Sequence, residues 1–123
     1  MSSAEALQIL IVEDNADARE TLQLLLQLEG YQVTAADSGE QAVEQAATTR
    51  FDVAMVDIGL PDVDGYEVAR RVRAKRGKDI FLVALTGYGQ AEDRKRALEA
   101  GFDAHLVKPV DPDDLLKVLP GRS

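Results

Sequence analysis

The sequence predicts a parallel α/β sheet, and three observations carry that prediction. Short apolar or β-branched runs alternate five times with longer segments of helical spacing, which is the pattern of strand–helix crossovers rather than of hairpins. The first, third and fourth runs are apolar almost throughout, so both faces of the sheet are expected to be covered. The helical segments also begin and end on residues suited to starting and stopping helices.

The elements follow in order. LQILIV (7–12) is the first strand, and the segment from Asn15 to Glu29 is the first helix, with Ala18, Leu22, Leu25 and Leu26 on one face and Gly30 as its stop. Leu24 and Leu28 fall outside that apolar face. YQVTAA (31–36) is the second strand; Ser38 and Gln41 then form a capping box for a helix running to about Thr48. DVAMVD (52–57) is the third strand, and Gly65 and Gly77 bracket the third helix. IFLVAL (80–85) is the fourth strand, followed by a helix from near Ala91 that closes at Gly101. AHLVK (104–108) is the fifth; Asp111 caps the last helix, Pro112 lies in its first turn, and Pro120 stops it early. No repeat, linker or low-complexity segment interrupts this order. One domain is expected over 7–119, with tails at 1–6 and 120–123.

At 123 residues and 13.4 kDa the chain can bury a full core without covalent staples. It has no Cys, which removes disulfides and thiolate metal sites and suits a reducing compartment. MSSAEALQ has no basic segment ahead of a long apolar one, and no later run approaches membrane-spanning length, so the expectation is a soluble, cytoplasmic protein without membrane contact. Net charge is −8, a field that repels nucleic acid and anionic lipid. The sign is uneven: residues 1–61 hold 2 basic and 11 acidic side chains, residues 62–123 hold 12 and 11. Six of the basic groups lie in RRVRAKRGK (70–78). No aromatic residue interleaves there to stack bases, so the run reads as a solvated helix face rather than a nucleic-acid site.

The chemistry collects at strand ends. Right-handed crossovers place the C-terminal ends of all five strands on one edge of the sheet, where such folds bind ligands beside the first strand. Glu13 and Asp14 follow the first strand, Asp57 ends the third, Thr86 follows the fourth and Lys108 ends the fifth. Three crowded acids raise one another's pKa unless a cation answers them. With oxygen donors only, a site of this kind suits Mg²⁺, with Glu13, Asp14, Asp57 and the backbone carbonyl of Gly59 as candidate ligands. A metal, a Lys and a hydroxyl also equip a site for a phosphoryl group. Asp57 is the candidate nucleophile, forming an acyl phosphate, and Thr86 and Lys108 are the groups to receive phosphoryl oxygens.

The stretches LIVEDN, VDIGLPDVDGYE, ALTGYG and GFDAHLVKPVD resemble the response-regulator receiver domain of two-component signalling, over about residues 7–119. The wording from Leu85 to Asp111 is most similar to receivers associated with hybrid histidine kinases. The resemblance implies a flavodoxin-like doubly wound fold, with five parallel strands in the order 2-1-3-4-5 and five helices. It also implies Mg²⁺-dependent transfer of a phosphoryl group to Asp57 from a histidine kinase or a histidine phosphotransfer protein. By the same resemblance Thr86 is the switch hydroxyl, His105 takes the place of the switch aromatic, and the Lys108–Pro109 bond is cis. The switched surface is the one around the fourth helix, fifth strand and fifth helix. The implied protein is a phosphorylatable signalling domain, assisting its own phosphorylation and dephosphorylation, rather than an enzyme, and a monomer or weak dimer. Two departures stand out: His105 where Tyr or Phe is commoner, and Gly87 after the Thr, which predicts a mobile 86–90 loop. The short last helix is a third, and it bears on the dimer surface.

Rival readings are weaker. An Asp-nucleophile phosphatase usually places a second Asp two residues on as general acid, and Gly59 stands there. A flavin-binding module on the same fold needs neither the acidic pair nor Lys108. GYGQAE (87–92) lacks the third Gly of a dinucleotide loop, DVDG (62–65) is too short for a Ca²⁺ loop, and GK at 77–78 has no phosphate-cradling loop before it.

Overall fold

A computed structural model describes residues 7–60, 62–87 and 91–119, without the side chains of 78 and 91–94. The tails, the Pro61 turn, the 88–90 stretch and the Pro120 stop lie outside the described residues. Five strands alternate with five helices: β1 (Gln8–Val12), α1 (Ala16–Leu28), β2 (Gln32–Ala36), α2 (Gly39–Thr48), β3 (Val53–Asp57), α3 (Gly65–Arg76), β4 (Phe81–Thr86), α4 (Ala91–Ala100), β5 (Ala104–Val107) and α5 (Pro112–Val118). A short 3₁₀ turn, Gly77–Asp79, joins α3 to β4. The sheet is parallel throughout, in the order β2-β1-β3-β4-β5.

Alternation along the strands sends successive side chains to opposite faces. Leu10, Val12, Ala54, Val56, Leu82 and Ala84 meet α2, α3 and α4 on one face. Ile9, Ile11, Met55, Val83 and Leu85 meet α1 and α5 on the other. β1 and β3 are buried from end to end apart from Gln8. Each of their fully buried Ile, Leu, Val or Met side chains contributes about 1.5–3 kcal/mol of hydrophobic stabilisation.

The helix ends are tied down locally. Ser38 caps α2 by accepting from Gln41 N–H at 3.2 Å. The return bond of the expected capping box is displaced by one residue, because Gln41 Oε1 accepts from Asp37 N–H at 3.0 Å instead of from Ser38. Asp62, from the loop after β3, supplies the rest of the cap by accepting from Gly39 N–H and Glu40 N–H at 3.0 and 3.1 Å. On α1 the buried face is narrower than its periodicity suggests: Leu22 and Leu26 are buried, while Ala18 and Leu25 are half-buried. Both of the latter line a groove beside Pro109 and Val110, and Leu25 also packs against the core cluster beneath it.

The basic run of α3 is largely spent within the fold. Arg70 and Arg71 pair with Glu67, and Arg71 also with Glu40. Arg76 donates to the Thr49 carbonyl at 2.6 Å. Arg73 departs from the expected solvated face: its side chain is 21% exposed and bonds the carbonyls of Gly77, Ile80 and Gly101 as well as Asp103.

Candidate functional site

The parallel register brings the strand ends to one edge, since Val12 lies beside Val56, Asp57 beside Leu85 and Thr86 beside Val107. Beyond β1 the chain turns sharply into α1, whose Asn15 cap accepts from Ala18 N–H at 2.9 Å. That turn leaves Glu13 buried at 1% exposure and Asp14 exposed. The Arg19 guanidinium fixes the turn by donating to the Glu13 carbonyl at 3.0 Å.

Asp57 ends β3 and is buried at 7% exposure. The chain then folds back under it, with Ile58 N–H on the Leu85 carbonyl and Gly65 N–H on the Ile58 carbonyl, both at 3.2 Å. Gly59 N–H donates to Asp57 Oδ1 at 2.8 Å. Gly65 is needed for this return: a Cβ there would stand 2.6 Å from the Asp57 carbonyl oxygen and nearer still to Ile58 Cα.

Lys108 links the two buried acids. Its backbone N–H donates to the Thr86 carbonyl at 2.8 Å, and the Lys108–Pro109 peptide is cis. Its Nζ lies 2.8 Å from both Glu13 Oε1 and Asp57 Oδ2. The contact with Glu13 is an ion pair without hydrogen-bond alignment, so Oε1 keeps an unused acceptor. Burial is the largest influence on all three groups. It pushes Glu13 above the usual carboxylate range, and the ammonium does not fully offset it. For Asp57 burial acts the same way, but Lys108, the Gly59 N–H and Glu13 outweigh it and leave the carboxyl below its usual value. Lys108 is raised despite burial, because two carboxylates hold its proton.

One carboxylate oxygen from each of Glu13, Asp14 and Asp57 falls within 4.8 Å of the others. Three hard oxygen donors, one with an unused buried acceptor, fit Mg²⁺ and not a thiolate- or imidazole-loving ion. Thr86 is buried at 2% exposure, and its hydroxyl donates to the Leu106 carbonyl at 3.4 Å, a long bond. The structure thus brings Glu13, Asp14, Asp57, Gly59 and Lys108 together, with Thr86 at the adjacent strand end. His105 stands apart. It is half-buried beside Ala84 in register and lines an open groove of about 400 Å³ with residues of α5.

The cleft over Asp57 has a volume of about 420 Å³, and Asp64, Tyr66, Gly87 and Arg96 join Asp57, Ile58, Gly59 and Lys108 in its walls. The sequence reading missed Tyr66 and Arg96 as cleft residues. Tyr66 sits in the first turn of α3, just after the Asp64 cap, and Arg96 immediately precedes buried Ala97 on α4. Both positions could have been found by asking which helix flanks face the β3 end.

A doubly wound parallel sheet with an acid-lined cleft at its C-terminal edge defines the class of protein. The chain belongs to the response regulator receiver domain family, whose model matches residues 9–120. It is 35% identical over 97% of its length to an uncharacterised 14.6 kDa protein of Leptolyngbya boryana, 92% of which is covered. The chain spans about half the length of other curated relatives that it matches. Among solved structures it is similar to the receiver domain of the sensor histidine kinase PA1611 of Pseudomonas aeruginosa, which has magnesium coordinated in its active-site cleft. The likeness has 35% identity and a TM-score of 0.84, covering 92% of this chain and 93% of that one. It is also similar to the receiver domain of Ssk1 in complex with the histidine phosphotransfer protein Ypd1 of Saccharomyces cerevisiae, with 27% identity and a TM-score of 0.86, covering 91% and 85%. This is a receiver domain of two-component signalling. Among the described residues no helix is long and apolar enough to cross a membrane.

Proposed function

We propose that Asp57 accepts a phosphoryl group from a phosphohistidine and that the chain is a Mg²⁺-dependent relay element. The observation that carries this reading is the Lys108 ammonium held 2.8 Å from both Asp57 and Glu13 at the mouth of a cleft. In the transfer an Asp57 oxygen attacks phosphorus, the P–N bond to the donor imidazole breaks, and the imidazole leaves with the electron pair and takes a proton. Asp57, held ionised by Lys108 and the Gly59 N–H, is ready to attack without prior deprotonation. When bound by Asp14, Asp57, the Gly59 carbonyl and Glu13 directly or through water, Mg²⁺ supplies charge neutralisation for the phosphoryl oxygens.

Lys108 would exchange its bond to Asp57 for one to a phosphoryl oxygen. Thr86 would give up its 3.4 Å bond to Leu106 for another, at small cost because that bond is long. Both changes pull on β5, which carries His105 and connects to α5, and the surface around α4, β5 and α5 is the proposed readout. Hydrolysis of the acyl phosphate by water, in the same cleft, returns the carboxylate and inorganic phosphate.

The test of the acceptor is intact mass after incubation with Mg²⁺ and a small acyl phosphate. The wild type should gain one phosphoryl group and Asp57→Asn none; equal uptake by the variant sinks the assignment.

The proposed partner is a histidine-bearing helical phosphodonor, and the domain acts in the cytoplasm as a monomer or weak dimer. Leu24 and Leu28 on α1 are 57% and 74% exposed. They stand on the same helix as Ala18, Thr21, Leu22 and Leu25, which line a groove with Pro109 and Val110. The similar Ssk1 receiver is found with the phosphotransfer protein Ypd1, which supports a protein donor. Nucleic acid is not the proposed partner, because the net charge is −8 and four of the six cations in 70–78 already pair with groups of this chain, Arg73 from a partly buried position. Leu24→Glu should slow transfer from the protein donor and leave uptake from an acyl phosphate unchanged; equal loss of both refutes the docking role.

A further inference from the structure

We propose that Arg96, held over the Tyr66 ring on the rim of the cleft, is a specificity-determining residue that draws anionic phosphodonors toward Asp57. The inference rests on the phosphoacceptor reading of Asp57 and adds a residue to it. It begins with the charge of the cleft. Glu13, Asp14 and Asp57 bring three negative charges, and Lys108, their neighbouring cation, is committed to two of them at 2.8 Å. A divalent ion only brings that set to neutrality, in a chain of net charge −8. Asp64 adds another acid to the wall, partly answered by the N-terminus of α3, where it accepts from Glu67 N–H at 2.9 Å. A phosphodonor carrying two negative charges therefore meets no net long-range attraction from this side of the cleft before it reaches the metal site and Lys108.

Arg96 supplies it from the other side. It comes from α4, lines the same cleft as Asp57 and Lys108, and has its guanidinium carbon 4.4 Å from the centroid of the Tyr66 ring. Among the described residues it pairs with no carboxylate. Tyr66 is buried at 4% exposure and rigid in the core, so the ring is a fixed seat for an otherwise flexible side chain. A guanidinium over a ring keeps its in-plane N–H fork available, and that fork matches two phosphate oxygens. Lys108 reaches the reacting group from the β5 side while Arg96 faces it from the α4 side. An aliphatic residue at 66 would leave Arg96 unseated, and a neutral residue at 96 would leave the rim without its cation.

The experiment measures initial rates of phosphorylation by intact mass at saturating Mg²⁺, for the wild type, Arg96→Ala and Arg96→Lys. Rates are taken against concentration for a dianionic acyl phosphate and for monoanionic phosphoramidate, at low and high ionic strength. For Arg96→Ala the KM for the acyl phosphate should rise about fivefold, with a smaller rise for phosphoramidate, little change in kcat and a flatter dependence on salt. Arg96→Lys should recover only part of the loss, since it restores the charge but not the fork, and with Arg96→Ala the Mg²⁺ dissociation constant should not rise and the melting temperature should not fall. Unchanged KM and salt dependence in Arg96→Ala overturn the proposal. So does an equal loss with both donors together with a lowered melting temperature, which would make Arg96 a clamp between α3 and α4. If the wild type itself takes up no phosphate, the Asp57 reading falls and takes this one with it; the first two outcomes leave that reading intact.

Discussion

Replacing Arg73 by Ala should cost this domain more stability than the same change at any other cation of its basic run, and the structure sets the size. The guanidinium donates to four acceptors: Gly77 O and Ile80 O at 2.7 Å, Gly101 O at 2.5 Å and Asp103 Oδ2 at 2.8 Å. Asp103 Oδ2 also accepts from Leu82 N–H at 2.8 Å, so one side chain joins α3, the start of β4 and the turn before β5. The bonds to Gly77 and Asp103 are exposed, and solvent can replace most of their worth. The bonds to Ile80 and Gly101 are partly buried. Charged hydrogen bonds of that kind contribute about 1.5–3 kcal/mol each; with partial rescue by water the pair comes to about 2–4 kcal/mol. At roughly 3–4 °C per kcal/mol for a domain of this size, the melting temperature should fall by about 6–16 °C. Thermal unfolding followed by far-ultraviolet circular dichroism measures it. Exposed Lys75→Ala is the control, expected within about 2 °C. Arg73→Lys should lie between, because an ammonium cannot span four acceptors. A shift for Arg73→Ala no larger than the control's refutes the reasoning. Since these bonds sit at the edge of the sheet opposite Asp57, phosphate uptake in the folded variant should match the wild type.

Three further outcomes are expected. Lys108→Ala should bind Mg²⁺ at least as tightly by calorimetry, having lost a competing cation, while its rate of phosphate uptake falls at least about tenfold; full uptake removes Lys108 from the transfer. Gly65→Ala should lose about 1–3 kcal/mol and weaken Mg²⁺ binding, because its Cβ presses on the Asp57 carbonyl and the Ile58 backbone; unaltered metal affinity would show that the return loop does not position Asp57. Asp62 is held below its usual value first by its bond from Gly39 N–H, so its contribution is present above about pH 3.8 and lost as pH falls through its lower folded value. Denaturant unfolding of Asp62→Asn should therefore trail the wild type by under about 1 kcal/mol near neutral pH, as solvent screening requires; the gap should close in acid, and a gap that persists below pH 3 contradicts the capping role.

Much of this molecule was legible because periodicity and punctuation agree along the chain. Strand limits came within a residue or two, since LQILIV and DVAMVD are bounded by acids and turn residues that cannot continue a buried strand. Glu13, Asp14, Asp57 and Lys108 were legible for the same reason, as polar residues at the ends of apolar runs. What stayed hidden depends on side-chain reach. Arg73 looked like one more solvated cation because nothing in RRVRAKRGK says which Arg turns back toward the Ile80 and Gly101 carbonyls. Arg96 was hidden likewise, since its neighbour across the cleft, Tyr66, is 30 positions away in the chain. The spacing on α1 turns Leu25 toward the core, against which it packs, but does not show that it also lines a groove. Its place beside Pro109 follows from the chain path after β5, which no window on α1 contains.

The two buried acids respond to pH in opposite directions, and that opposition bears on why such a costly arrangement folds at all. Asp57, lowered, adds stability above its unfolded value of about 3.8 and loses it as pH falls through the lower folded value. Glu13, raised, does the reverse: holding it ionised costs stability as pH climbs above 4.5, because its Oε1 is buried without an aligned donor. One ammonium serves both, so the gain at Asp57 offsets part of the cost at Glu13, and the pair is tolerated without being favourable. A sequence selected for stability alone would place an apolar or neutral residue at 13, next to buried Val12. Local rules are broken where chemistry needs them broken. Glu13, buried and only partly answered by Lys108, is thus the feature of the bare fold that a further cation would most relieve, and a divalent ion bound beside it would turn part of a standing cost into binding energy.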